Sequence, residues 1–461
     1  MISKSLRVKR YADKLLEVIP LSIKLFAARI CRRAVIEFEM SDIPLKEVND
    51  LLKSGKHDEA EQRLMQVLKK NPTNMRVIPY ITRVRYLKQR SDSFDDAMQT
   101  IDMLSTLDTM NKELKSKPVY SLEPKWQIGV DIQTQLLTEY GIENFKRTVS
   151  HGYQNFVMGS LNDPQVIRLF ETMQVHFSNE PWFNIIETPD HVGIHERIYD
   201  DAIEKHFENP TYRLAYPEDR EVYRIAVGLL WERVRATDLF NILDSLEESE
   251  IGNPIRIWRK GKLISSDLAH SVRERNMLLN SLSLDGTEKL TVGEIGAGHG
   301  RLAEVFGRTT NYRYIIFDIT PALYVAQWYI TKVFQYEKIF SFRHFDSFEE
   351  IEQELSESRF AFFTPNQIEY FPDKYFGLSV NMNSLGEMRL DQVENYLYHI
   401  DRLTKHGFLS RQELHDKSKN EWLEGFSKET FSLPDERWKL LLDKIDDFHP
   451  HFFNQIWNRR V

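Results

Sequence analysis

Cysteine is almost absent: Cys31 is the single one in 461 residues. No disulfide framework and no cysteine metal site can form within one chain, which suits a reducing compartment. Long apolar runs are also missing. No stretch of about 18 uninterrupted apolar residues occurs, so the sequence predicts no transmembrane helix. Positive charge is not in excess. Lys and Arg number 61 against 69 Asp and Glu, a net charge of −8, which argues against wholesale nucleic-acid binding. What remains is globular, with 41% hydrophobic and 28% charged residues. The chain is too long for one ordinary domain.

The charge is unevenly spread. Residues 1–40 hold Lys4, Arg7, Lys9, Arg10, Lys14, Lys24, Arg29, Arg32 and Arg33 against few acids. Lys24, Arg29 and Arg32 interrupt the apolar stretch, and no small-residue cleavage site follows cleanly, which argues against a secretory signal. A basic amphipathic helix has two uses: weak contact with an anionic membrane surface, or packing on the next domain. Residues 41–115 read as helical hairpins. Ala60 and Ala97 occupy equivalent small-residue positions, and Pro72 closes the first unit, a pattern similar to tetratricopeptide repeats. Their natural use is packing or binding a protein partner. Residues 116–284 read as a mainly helical cap. Val222, Ile225, Leu229, Leu230 and Val234 form an apolar stripe there, and a small hairpin is predicted around IRIW and Gly261.

Residues 285–461 alternate strand and helix. LTVGEI, YRYIIFDI, KIFSFRHF, FAFF, FGLSVNMNSL and FLSRQ read as strands. Thr320-Pro321 reads as an N-cap and first helical position, and LDQVENYLYHIDRLTKHG as a helix stopped by its glycine. Such alternation predicts a Rossmann-like, mainly parallel sheet covered on both faces, so the fold class is α/β after an all-helical N-terminal region.

The first strand-to-helix turn is GEIGAGHGR, residues 293–301. A dinucleotide turn is G-x-G-x-x-G, and its third glycine would fall on Arg301. The pattern here is E-x-G-x-G-x-G, from Glu294 through Gly296 and Gly298 to Gly300. S-adenosyl-L-methionine has no phosphate to place on a helix N-terminus. It offers an ammonium, which suits Glu294, and ribose hydroxyls, which suit an acid ending the second strand. Asp318 stands there, about 20 residues past the glycines. The absence of a Tyr-x-x-x-Lys pair following a plausible strand also speaks against a nicotinamide-dependent sugar enzyme.

GEIGAGHGRLAEVF, YIIFDITPALYVAQWYI and FFTPNQIEYFPDKYFGLSVNMNSLGEM together resemble the bacterial sugar O-methyltransferase family, within the class I S-adenosylmethionine-dependent methyltransferases. IGNPIRIWRKGKLISSDLAHS upstream resembles the segment before that family's core. The resemblance runs from about Gly141 to the C-terminus. It implies that Glu294, Gly296, Ala297, Gly298 and Gly300 cradle the methionine part, and that Asp318, with Ile319 beside it, takes the ribose. It places Asn366 or Gln367 near adenine, although many class I enzymes carry an aspartate and a small residue at that turn. Its implied activity is methylation of a sugar hydroxyl, on an activated sugar or a glycan; the expected location is the cytoplasm, with peripheral contact at the inner membrane only if the basic N-terminal helix takes the first of its two uses.

A base would lie past the fourth strand. Glu387 is the first candidate and His299 the second, the simpler reading of His299 being an exposed histidine that caps the glycine turn. Asn383 and Ser384 suit sugar hydroxyls, and Tyr153 in HGYQNF suits ring stacking, as does Trp258. Asp346, Asn383 and Glu387 could offer oxygens to magnesium, but no spacing supports a metal, and none is expected. Other acceptors, a small molecule or a protein side chain, stay open, as does a helical scaffold with a degenerate methyltransferase domain.

Overall fold

The structure is a computed structural model. It describes residues 47–48, 51, 54, 56–70, 84, 94–115, 117–122, 124–146, 217–254, 257–413, 427–449 and 452–460. Tyr153, the rest of HGYQNF and the basic segment 1–40 lie outside the described residues. The chain divides into two compact units, Met1–Ile101 and Asp102–Val461.

In the first unit, helix α1 (His57–Lys70) opens with Asp58 and Glu59, which suit the positive end of a helix. Ala60 and Leu64 are fully buried, one turn apart. Helix α2 (Phe94–Leu114) covers the second repeat-like stretch. Most of the chain joining the two helices lies outside the described residues, so the hairpin arrangement remains an expectation.

The second unit takes up the end of α2. Met103, Leu107 and Met110 share a buried core with Leu302, Leu323, Tyr324 and Phe362. Helix α3 (Pro124–Tyr140) follows, then α4 (Pro217–Thr237). The small hairpin forms as expected, with β1 (Ile257–Arg259) antiparallel to β2 (Lys262–Ile264). Its turn is Lys260-Gly261, with φ of 50° and 73°, the left-handed pair that matches strand twist. Helix α5 (Ser266–Ser281) is capped by Ser265, whose hydroxyl accepts from the Leu268 N–H.

The remaining strands are β3 (Thr291–Ile295), β4 (Arg313–Phe317), β5 (Ile339–Phe340), β6 (Phe360–Phe363), β7 (Phe376–Met382), β8 (Thr404–Glu413), β9 (Trp438–Ile445) and β10 (Phe452–Arg459). They form one sheet in the order β5-β6-β4-β3-β7-β8-β10-β9. Strands β3 to β8 are parallel, and β10 is antiparallel to both neighbours. This is a Rossmann-like, mainly parallel sheet in which β10 is the single reversed strand. Helices α6 (Arg301–Thr309), α7 (Ala322–Val333), α8 (Glu352–Glu357) and α9 (Leu390–Leu403) connect the parallel strands. Strands β6 and β7 are buried at every position, which is why they read as unbroken apolar runs.

Several local expectations change. Pro321, not Thr320, is the N-cap of α7; the Thr320 hydroxyl donates instead to Asn111 Oδ1 at 2.5 Å. KIFSFRHF keeps only two residues as strand, Ile339 and Phe340. Helix α9 ends at Leu403 without a glycine. Gly407 sits inside β8, where a Cβ would overlap the Leu282 side chain, so close packing rather than termination demands it. The pair β9 and β10 went unread.

Candidate functional site

The strand order turns at β3, which lies between β4 and β7. An open parallel sheet binds ligands beyond the carboxyl ends of its strands at such a switch point. The glycine turn sits there. Gly296, Gly298 and Gly300 have φ of 76°, 60° and 85°, values that side-chain-bearing residues rarely adopt. Each glycine has a different neighbour. A Cβ on Gly296 would overlap Ser384, and one on Gly300 would press on Ile330, whereas one on Gly298 would meet open space. The turn is thus packed from below and open at Gly298.

Asp318, one residue past β4, faces that open point. Its Oδ2 accepts the Gly298 N–H at 2.8 Å and its Oδ1 accepts the Ile319 N–H at 2.7 Å. Burial pushes this carboxyl up to about 7, against the pull of the backbone N–H groups of Gly298, Ile319 and Ala297. A carboxylate has about four acceptor positions, so it retains capacity for a further hydroxyl donor. Glu294 lies deeper, at 2% exposure, and its Oε2 accepts the Tyr314 hydroxyl at 2.9 Å. Burial raises it to about 8, offset in part by the Tyr314 hydrogen bond and the Arg301 charge. Two buried acids held near neutrality make a site that gains from a cation and hydroxyl donors.

The turn after β6 completes this side. Gln367 is fully engaged: its Oε1 accepts the Thr364 N–H at 3.0 Å and its Nε2 donates to the Arg343 carbonyl at 2.9 Å. Asn366 differs. Its Nδ2 donates to Glu113 Oε1 at 2.9 Å, and its buried Oδ1 has no partner among the described residues.

Past β7 the polar groups satisfy one another. Ser384 Oγ donates to the Ile295 carbonyl at 3.1 Å and accepts from Asn381 Nδ2 at 2.6 Å, which locks the β7 loop against the glycine turn. Asn383, with φ of 69°, accepts from Arg411 Nη1 at 3.0 Å through its Oδ1. Arg411 in turn pairs with the buried Asp446, which also holds Arg273. Glu387 is half-buried, and its carbonyl accepts from Trp126 Nε1 at 3.2 Å.

His299 is buried, contrary to the simplest reading of an exposed loop cap. Its ring lies 5.4 Å from Phe145 and 5.8 Å from Tyr329, and its Nε2 is 3.9 Å from Asp267 Oδ2. Burial, helped by the Lys146 charge, pushes it down to about 3. It is neutral at any working pH, but so low a value makes it a weak proton acceptor. Asp346 is exposed and pairs with His344 at 3.2 Å, an ordinary surface contact. No His/Cys/Asp/Glu group with metal-holding geometry occurs among the described residues.

Sequence reasoning missed two sets of residues. The first is the polar face of α5: Asp267 approaches His299, Ser271 and Glu274 bind Arg301 Nη1 at 2.7 and 2.8 Å, and His270 meets His449 at 3.5 Å between Nε2 atoms. Positions 267, 270, 271 and 274 follow helical spacing, so an amphipathic reading inverted for polarity would have found them. The second is Glu113 and Asn111 at the end of α2. No local signal marks them, because their partners are more than 200 positions away.

No protein-family model and no curated protein matches the chain. Among solved structures, the PH0226 protein from Pyrococcus horikoshii is similar at 12% identity, over 41% of this chain and 91% of that one, with a TM-score of 0.29. Magnesium protoporphyrin IX methyltransferase from Synechocystis is similar at 11% identity, over 42% and 86%, with a TM-score of 0.31; that structure has S-adenosylhomocysteine bound. Likenesses this distant say nothing of substrate or activity.

Proposed function

We propose that the chain uses S-adenosyl-L-methionine to methylate a hydroxyl of a sugar, activated or glycan-linked. The observation that carries the cofactor is the Asp318–Gly298 contact at 2.8 Å beside a turn whose open side would be filled by any side chain at Gly298. The residues fit that cofactor: Glu294 for the ammonium, Asp318 for the ribose, and Asn366 Oδ1, without a partner among the described residues, for the amino group on adenine. The cofactor, when bound, supplies the electrophilic methyl carbon. The chain aligns the acceptor and takes its proton. Glu387 is the better candidate for the proton because the desolvated His299 is too weak a base. Ser384 and Asn383 already serve the fold, so sugar hydroxyls would meet them only as additional partners. The sugar itself rests on the family resemblance, and the cap region is where its ring would be recognised.

Isothermal titration with S-adenosylhomocysteine tests the cofactor, with Asp318→Ala alongside. Loss of hydrogen bonds to a charged group should weaken binding by about 1.5–3 kcal/mol. A folded wild type that does not bind would sink the reading. Transfer of labelled methyl groups to nucleotide sugars and glycans, against peptides and small phenols, then tests the acceptor.

A further inference from the structure

The last turn of α2 reaches both loops that would enclose the nucleoside. Asn111 Oδ1 accepts the Thr320 hydroxyl, two residues beyond Asp318. Glu113 Oε1 accepts from Asn366 Nδ2 at 2.9 Å, three residues beyond β6. The two loops are neighbours, because the Asp318 N–H donates to the Phe363 carbonyl at 3.2 Å. Met103, Leu107, Met110 and Leu114 are all buried, so this turn cannot swing away without opening the core.

Glu113 is itself fixed. Its second oxygen, Oε2, lies 2.8 Å from His344 Nδ1, and His344 Nε2 lies 3.2 Å from Asp346 Oδ1. An ionised carboxylate only accepts, so the Asn366 amide must turn its NH₂ toward Glu113. That leaves Oδ1 on the other side, buried and without a partner among the described residues. An orphaned buried oxygen is costly to the fold and asks for a donor.

Resting on the cofactor reading above, we propose that Glu113 is a positioning residue that locks the Asn366 amide with Oδ1 toward the nucleobase, so that the site selects a ring with an exocyclic amine and rejects one with a carbonyl there. Adenine donates from that position; hypoxanthine presents an oxygen, which would face Oδ1 acceptor to acceptor. The first helix of the second unit would then take part in nucleobase selection, although it precedes the sheet by more than a hundred residues.

The test titrates the full chain with S-adenosylhomocysteine and with S-inosylhomocysteine, which differ at position 6, amine against carbonyl, and at the adjoining N1, which carries a hydrogen only in the inosine compound. Wild type should prefer the adenosine compound at least about tenfold, the loss of one donor matched against a buried acceptor. In Glu113→Gln the new amide can donate to Asn366 Oδ1 and turn the Asn366 NH₂ toward the ring. The preference should collapse toward one or invert, with the unfolding midpoint close to wild type. Asn366→Leu removes both amide partners, and its preference should also approach one. A Glu113→Gln protein that keeps the wild-type preference would overturn the proposal, as would wild type binding both compounds equally. Wild type binding neither compound would overturn the cofactor reading, and this proposal with it.

Discussion

The two halves of the sheet's carboxyl edge are built differently. On the β4 and β6 side, Glu294, Asp318 and Asn366 are buried acceptors left under-used: two acids pushed toward neutrality and one amide oxygen with no partner among the described residues. On the β7 and β8 side, Asn381, Asn383, Ser384, Arg411 and Asp446 close on one another in hydrogen bonds and ion pairs. A half that carries unmet acceptors is prepared for a ligand before it arrives. On the other half these five side chains are spent on one another, and the buried acceptors without a partner among the described residues, Asn454 Oδ1 and Gln455 Oε1, lie one strand further on, in β10.

The largest effect should come from removing the end of α2. A chain beginning at residue 116 loses Met103, Leu107, Met110 and Leu114 from the core, together with Asn111 and Glu113. Each buried Leu or Met truncated to alanine costs about 2–5 kcal/mol, so losing four costs about 8–20 kcal/mol, as much as the roughly 5–15 kcal/mol that holds an ordinary domain folded. Circular dichroism should show no cooperative melt, whereas a chain beginning at residue 94 should melt like the full one. A stable, ligand-binding 116–461 fragment would show that the cofactor half is complete within the sheet.

Next in size is the proton. Glu387→Gln should lower kcat about 10²- to 10⁴-fold with S-adenosylhomocysteine affinity unchanged, read by methyl transfer once an acceptor is found. An equal loss in His299→Gln, with Glu387→Gln unaffected, would move the base to the glycine turn. Smaller again is the direct contrast between the halves. Asp318→Ala should weaken S-adenosylhomocysteine by about 10- to 150-fold, and Asn383→Ala by less than about twofold, because Asn383 spends its oxygen on Arg411. Similar losses in both would erase the distinction.

The same distinction governs what could be read beforehand. The glycine turn was legible because its residues are local: three glycines at alternate positions, all with positive φ, lie between a strand and a helix, with an acid near the end of each of two adjacent strands. The parallel sheet was legible from its apolar runs. Which of Asn366 and Gln367 keeps a vacant acceptor was not, since Gln367 is spent on Thr364 and Arg343 and Asn366 is oriented by Glu113. The acceptor half was misjudged for the same reason. Ser384 looks like a sugar ligand in SVNMNSLGEM until Ile295 and Asn381 are seen to claim its hydroxyl. His299 looks exposed until Phe145 and Tyr329 cover it. Local sequence records the types of polar groups; their partners come from elements far away in the chain.

The smallest predicted effect separates the halves by pH. Glu294 and Asp318 have folded-state values near 8 and 7, both above those of the unfolded chain, so these two groups hold more protons in the native protein than in the unfolded one between about pH 4 and pH 8, opposite in sign to the buried His270, His299 and His399 below about pH 6.5. Stability from these two groups is therefore fully present at the acid end of that window and falls as pH rises through it. Ligand binding runs the other way, because the ammonium and the ribose hydroxyls favour the ionised carboxylates. Between pH 6 and pH 8.5 the ligand-free protein should lose thermal stability while its affinity for S-adenosylhomocysteine rises about tenfold, roughly one pKa unit of differential interaction. Glu294→Gln should raise the ligand-free melting temperature at pH 8.5, leave it unchanged at pH 5, and flatten the rise in affinity. Asp446, held far below the usual carboxylate range by Arg273 and Arg411 despite its burial, stays ionised throughout, so the acceptor half contributes no slope of its own in this window. Stability and affinity that rise together across these pH values would mean that the acids of the cofactor half are already ionised in the empty site, and the preparation argued for that half would lie in its glycines and Asn366 alone.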